Sequence, residues 1–245
     1  MIIRKIGGGR RLSECERILD LADGAERVFL TPIPTTKDKI YITGSSVTLR
    51  ELSDMLGAGD LLAGYNLPPG LRSEAEKKGA RVYDAGKDEK LLLDNAYLTA
   101  KGAAGYLITH TDRDLGDLSL GIVGYGRIGK ALLSLLLFLG ARPRVFTGRS
   151  EVVSELCASG VDCSLISEKE RLSGLDWLIN TAPARQIGEE EIPSECRILD
   201  LASGSIFKDS GRFIKLSSVP DNYFPITAGR LYAEGILRAI KEEKT

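Results

Sequence analysis

One histidine, His110, and four cysteines, Cys15, Cys157, Cys163 and Cys196, leave this chain poorly supplied with metal ligands. No two cysteines form a C-x-x-C pair, so neither a zinc site nor a redox dithiol is expected, and the thiols read as free in a reducing compartment. An ordinary 2-hydroxy-acid dehydrogenase, whose proton donor is a histidine late in the chain, is not expected, because none follows His110. The absence of G-x-S-x-G removes the strained nucleophile turn of serine hydrolases. Neither sign of charge is in excess: 33 Lys and Arg face 34 Asp and Glu. Electrostatics therefore gives no reason to expect nucleic acid or an anionic membrane as partner. Long apolar runs are missing too. The longest covers residues 131–139 and is closed by Gly140, far short of the roughly 20 residues of a membrane span. It is apolar almost all round, which predicts a helix covered on two sides, one by its own sheet and the other by a second copy or a small domain. A homo-oligomer is expected on that ground. The opening residues carry too short an apolar run for an export signal, and a cytoplasmic protein is expected.

What is present is an alternation of short β-rich runs with helical stretches, the pattern of α/β layers around a mostly parallel sheet. A strand over 2–6 ends in Gly7-Gly8-Gly9, and a helix over 12–21 follows. Strands are predicted at 27–30, 60–63 and 81–83. Pro32 and Pro34 mark a loop, and Thr48 with Glu51 forms a capping box that starts a helix. These pieces make a small α/β domain over 1–93. A long helix over 90–110 connects it, through a hinge ending at 116, to a second domain over 117–245. That domain offers strands at 118–123, 144–147, 161–165, 176–180, 197–201 and 213–216, and a last helix over 227–240. The glycine-rich turn after the first strand of each half suggests two related α/β units.

The strongest chemical signal is Gly121-Ile-Val-Gly-Tyr-Gly-Arg-Ile-Gly, which holds G-x-G-x-x-G at Gly124, Gly126 and Gly129. The pattern alone is weak, but here it follows an apolar strand and opens an apolar helix, as its mechanism requires. Gly124 permits the tight turn, Gly126 lets backbone approach a pyrophosphate, and Gly129 lets the helix pack on the strand. The helix N-terminus supplies N–H groups and a partial positive charge to phosphates. Tyr125, Arg127 and Ile128 complete that turn. The fold class is a Rossmann-like doubly wound parallel sheet with a second, smaller α/β domain, and the ligand is a nicotinamide dinucleotide. The next strand ends in Thr147-Gly148-Arg149-Ser150, with no acid to bond a ribose 2′-hydroxyl. Arg149 can instead fork onto a 2′-phosphate, with Thr147 and Ser150 as further donors. NADP(H) is expected, with NAD(H) as the alternative. Asn180-Thr181-Ala182-Pro183 and Leu201-Ala202-Ser203 end two later strands, where ligands of open parallel sheets bind, although either could be turn chemistry.

Several ordered segments resemble the Rossmann subunit of dipicolinate synthase. They are Ile6-Gly7-Gly8 with Arg11, then Asn95, Thr99 and Gly102 followed by His110-Thr111-Asp112, then the glycine turn, and Gly148-Arg149-Ser150. Residues 176–183 and 198–203 and Pro225 with Thr227-Ala228-Gly229 continue the match, which is specific from about residue 85 onward; before residue 60 it is thin, and the chain is expected to be diverged and shortened there. The resemblance implies an NADP(H)-dependent oxidoreductase that acts on a cyclic imino-dicarboxylate in the synthesis of the spore dicarboxylic acid. It also implies a second, flavoprotein-like subunit of dipicolinate synthase as partner. Two departures stand out: Lys101 replaces a glutamate of the family helix, and Ser218-Val-Pro-Asp221 replaces Gly-Leu-Pro-Gly. Arg11, Asn95 and Thr99 are the candidate substrate contacts. Lys101 is the candidate carboxylate ligand and proton donor, on the expectation that the connecting helix gains its N-terminus among Asn95 to Thr99 and opens toward the cofactor. His110, nine residues on and about 13 Å along a helix, is assigned a structural role. A dehydrogenase of another small carboxylate and a dinucleotide-sensing module without turnover are the competing readings.

Overall fold

The computed structural model describes residues 1–183, 187–202 and 211–242. The chain divides into two compact units, Met1–Asn95 together with Pro220–Thr245, and Ala96–Val219.

The first unit is a four-stranded parallel sheet of β1 (Ile2–Lys5), β2 (Arg27–Leu30), β3 (Leu61–Gly64) and β4 (Arg81–Asp84), paired in that order. Its central strands are almost wholly apolar because both faces are covered. Val28, Leu30, Leu61 and Ala63 face a core shared with α1 (Arg10–Asp20) and α8 (Pro225–Glu242). Phe29 and Leu62, one residue out of step, face a second core with α2 (Leu49–Met55) and α3 (Pro69–Lys77). The capping box at Thr48 and Glu51 is present in both directions.

The last helix was expected with the second domain; instead α8 belongs to the first unit. Its buried Tyr232, Ala233, Ile236 and Ile240 complete the apolar face begun by Leu12, Cys15 and Leu19 of α1. Gly229 makes the approach feasible, since a Cβ there would stand 2.6 Å from the Arg11 carbonyl oxygen. A boundary at residue 117 therefore divides the chain less well than one that returns the C-terminal segment to the first sheet.

The connecting helix α4 (Glu89–Thr109) is continuous. Its start is capped by Asp88, whose Oδ1 accepts from the Leu91 N–H at 3.1 Å. Asn95 and Thr99 are therefore interior helix residues, and the N-terminus expected there is absent.

The second unit has six parallel strands: β5 (Leu120–Val123), β6 (Arg144–Thr147), β7 (Cys163–Leu165), β8 (Trp177–Asn180), β9 (Arg197–Asp200) and β10 (Phe213–Lys215). The order is β10-β9-β8-β5-β6-β7, the doubly wound order of a Rossmann sheet, with its switch point between β5 and β8. On α5 (Arg127–Phe138), Ala131, Leu132, Leu133 and Leu136 are buried. Leu137 (43% exposed), Phe138 (86%) and Leu139 (37%) are not. The expected second cover is not supplied by the described residues. Among them no helix is long and apolar enough to cross a membrane.

Candidate functional site

In the second unit the glycine turn leaves the carboxyl end of β5 at the switch point. Gly124 has φ +94°, a conformation L side chains rarely adopt, and a Cβ there would lie 2.9 Å from Thr181 Oγ1. Gly129, buried in the first turn of α5, would place a Cβ 2.2 Å from the Gly124 carbonyl oxygen. Gly126 is different: a Cβ there meets nothing within 4 Å. The two outer glycines are required by the fold, and the middle one keeps an open cradle at the N-cap of α5, where a helix receives phosphate. That cradle fits a pyrophosphate. Tyr125, half-buried, has the Lys130 Nζ 5.1 Å from its ring centroid. Arg127 is exposed and Ile128 half-buried on the turn that follows.

The structure brings Arg149 to this turn. The residue is exposed at the N-cap of α6 (Ser150–Ala158), and its Nη2 donates to the Tyr125 carbonyl oxygen at 3.0 Å. Its backbone N–H donates to Thr147 Oγ1 at 3.3 Å. Thr147 is buried, and Gly148 and Ser150 are exposed beside Arg149. This is the end of the strand next to β5, where adenosine ribose lies in Rossmann sites.

Thr181 and Asn180 are already engaged. The Thr181 hydroxyl donates to the Val123 carbonyl oxygen at 2.8 Å, with the Gly124 carbonyl at 3.3 Å. The Asn180 amide donates to Asp200 Oδ1 at 2.9 Å, and its Oδ1 accepts from the Ala182 N–H at 3.2 Å. Asp200 Oδ1 also accepts from the Ala202 N–H at 3.1 Å, while its other oxygen is buried without a partner among the described residues. Leu201 and Ala202 are buried at this strand end and Pro183 is exposed. Ser203 lies outside the described residues. Reasoning from sequence passed over Asp200; its signal was an acid closing the apolar strand Arg-Ile-Leu-Asp.

In the first unit Arg11 is the second residue of α1, directly after Gly7-Gly8-Gly9 and Arg10. Its side chain is 4% exposed. Nη2 donates to Asn95 Oδ1 at 3.1 Å, Nη1 lies 3.4 Å from Asp221 Oδ2, and Nε is buried with no acceptor among the described residues. The guanidinium stands over the Tyr232 ring, 5.9 Å from its centroid. Burial pushes the Asp221 carboxyl above its ordinary range, against the pull of Arg11. Asp221 sits in α7 (Val219–Tyr223). In the sequence it stood out only as a departure from the resembled family, with no role.

Thr99 is buried in α4 and Lys101 is exposed on it. The free helix N–H groups expected beside Lys101 are absent, because the helix begins at Glu89. His110 stacks on Tyr106, with ring centroids 3.8 Å apart, and its Nδ1 lies 2.9 Å from the Tyr106 carbonyl oxygen. Those contacts describe a ring held by its own helix. Cys15, Cys163 and Cys196 are buried and Cys157 is exposed, all as free thiols. Burial raises the thiols of Cys163 and Cys196 to about 11 and about 12.

No family model and no curated protein sequence matches the chain. Solved structures do. A dipicolinate synthase structure from Bacillus subtilis superposes with a TM-score of 0.78 at 21% identity, covering 100% of this chain and 98% of that one. Its counterpart from Bacillus halodurans gives 0.77 at 20% identity, covering 97% and 96%. The chain has the fold of these dipicolinate synthase subunits. A transhydrogenase from Sinorhizobium meliloti also superposes, with a TM-score of 0.66 at 13% identity, covering 99% and 94%. The likeness to the dipicolinate synthase structures extends through the first 60 residues, where sequence resemblance is thin, because layer architecture persists after side-chain identities have diverged. The expected shortening is not found, since the match spans 98% and 96% of those two chains.

Proposed function

We propose that the chain is a cytosolic NADP(H)-dependent oxidoreductase of the dipicolinate synthase type, whose substrate is a cyclic imino-dicarboxylate such as dihydrodipicolinate. The observation that carries the cofactor part is the pairing of Arg149 with the Tyr125 carbonyl beside an open Gly126 cradle. The turn would hold the pyrophosphate on the α5 N-terminus, and Arg149, with Thr147 and Ser150, would meet a 2′-phosphate. When bound, the nicotinamide accepts or delivers hydride; the protein supplies position and charge. Arg11, held by Asn95 and backed by Tyr232, would bind a substrate carboxylate. Thr99 supports that assignment only as a neighbour in sequence. Lys101 is assigned a second carboxylate contact on the strength of its charge and exposure alone.

A second subunit of the dipicolinate synthase kind is proposed as partner, a reading supported by the same likeness. Self-association through the open end of α5 would supply the cover that the described residues lack. The test is titration with NADPH and NADH, followed by incubation with dihydrodipicolinate, with and without the candidate partner, while nicotinamide absorbance is watched. Turnover with NADP(H) supports the reading. Dinucleotide binding with no turnover under any of these conditions favours a sensing module. Within this test, Lys101→Met should weaken dicarboxylate binding and leave cofactor affinity unchanged, whereas His110→Gln should leave both unchanged.

A further inference from the structure

A buried guanidinium has five N–H donors to satisfy and a full charge to offset. Arg11 is served by one neutral acceptor, Asn95 Oδ1 at 3.1 Å, and by one carboxylate oxygen, Asp221 Oδ2 at 3.4 Å. Strong guanidinium–carboxylate bonds are about 2.7–2.9 Å long and often paired. The Arg11–Asp221 contact is longer and single, and Nε has no acceptor among the described residues. Tyr232 meets the guanidinium with its ring face, while its hydroxyl donates to the Thr31 carbonyl oxygen at 3.1 Å. Asp221 is not sealed in: its side chain keeps 32% of its surface exposed, against 4% for Arg11. The two groups are neighbours that leave each other with bonding capacity to spare.

A bare carboxylate that approached Arg11 would also approach the Asp221 carboxylate and be repelled by it. A ligand with a protonated nitrogen one carbon from its carboxylate meets both groups with the right sign. The carboxylate takes the guanidinium donors, and the N–H donates to Asp221.

We propose that Asp221 is a specificity-determining residue that, with Arg11, selects a ligand carrying a carboxylate next to a protonated nitrogen, an α-amino or α-imino acid group. The proposal deepens the substrate part of the function above and rests on its assignment of Arg11 to a carboxylate.

The test uses the full chain and two probes of matched ring size, pipecolate and cyclohexanecarboxylate, which differ in the ring nitrogen. By calorimetry the wild type should bind pipecolate more tightly by about tenfold or more, the factor expected of one hydrogen bond to a charged group. Asp221→Asn should bring the ratio near one, by weakening pipecolate and strengthening cyclohexanecarboxylate; Asp221→Gly should do the same. Arg11→Met should lose both probes. A thermal melt of each variant establishes that it folds. The proposal is overturned if Asp221→Asn and Asp221→Gly change both affinities equally or leave the ratio unchanged, or if the wild type binds neither probe. The turnover assay with dihydrodipicolinate separates the two claims. Probe discrimination without turnover sinks the proposed substrate and keeps the residue pair. Turnover unaffected by Asp221→Asn, with no probe discrimination, does the reverse.

Discussion

Thr181 Oγ1 stands 2.9 Å from the point that a Cβ on Gly124 would occupy, and the same hydroxyl donates to the Val123 carbonyl oxygen. The turn that would receive the dinucleotide is thus pinned from the neighbouring strand end, at the one residue of the turn whose backbone needs a left-handed conformation. Gly124→Ala adds a strained φ and a clash together. We expect a loss of about 1–3 kcal/mol of stability, the usual cost of a residue forced into such a conformation, and loss of dinucleotide affinity. Thermal melts with and without NADPH check both. An unchanged melting temperature would contradict the close approach.

Arg149→Ala should weaken NADP(H) by about 1–3 kcal/mol, the range for a charge-assisted hydrogen bond, and leave NAD(H) nearly unchanged. Calorimetry with both cofactors decides it. Equal losses would mean that Arg149 serves only the Tyr125 carbonyl and not a 2′-phosphate.

Asp200 holds two strand ends together through one oxygen. Asp200→Ala leaves the Asn180 amide and the Ala202 N–H without their acceptor, which should cost about 1–3 kcal/mol in urea unfolding. Asp200→Asn keeps an acceptor in place and should cost less. The reverse order would show that the charge, rather than the hydrogen bonds, is what the sheet uses.

The Arg27–Asp60 pair should give the first unit an acid-sensitive contribution. Arg27 Nε and Nη2 donate to the two carboxylate oxygens at 2.6 and 2.5 Å, and the Gly57 N–H adds a third bond at 2.7 Å. The Arg27 hydrogen bonds lead in holding the Asp60 carboxyl below its ordinary range. A depressed folded-state value contributes stability above the unfolded value, about 3.9, and loses it as pH falls from there through the folded value. The stability gap between wild type and Asp60→Asn should therefore be full at pH 6 and shrink below about pH 4. A gap constant with pH would refute the assignment.

Phe138 is 86% exposed at the open end of α5, and Leu137 beside it in sequence lines a hollow of about 380 Å³ with Ala141, Pro143 and Val161, among others. A large aromatic ring left open at an apolar helix end is a surface that association covers, so self-association is the expected outcome. Sedimentation should show a dimer that Phe138→Glu dissociates. A monomeric wild type would rule this out.

The local chemistry of the chain was legible without a structure. Alternation of apolar runs and glycine turns located each strand to within a residue or two, since two-sided burial leaves an unbroken apolar stretch bounded by turn residues. The glycine motif and the arginine that follows the next strand could be read for the same reason: their requirements act over a few neighbouring residues. Three matters were decided only by tertiary contact. The last helix joined the first sheet because Tyr232 and Ile236 complete the face of α1, across more than two hundred residues of chain. The connecting helix began at Glu89 because Asp88 caps it while also accepting from Tyr83 and Arg238. Asp221 came to lie against Arg11, 210 positions away, with no local pattern to mark the pair. Periodicity and turn chemistry are short-range and are written in the residues themselves. Which charge meets which in a buried place depends on how whole elements pack, and only the folded chain determines that.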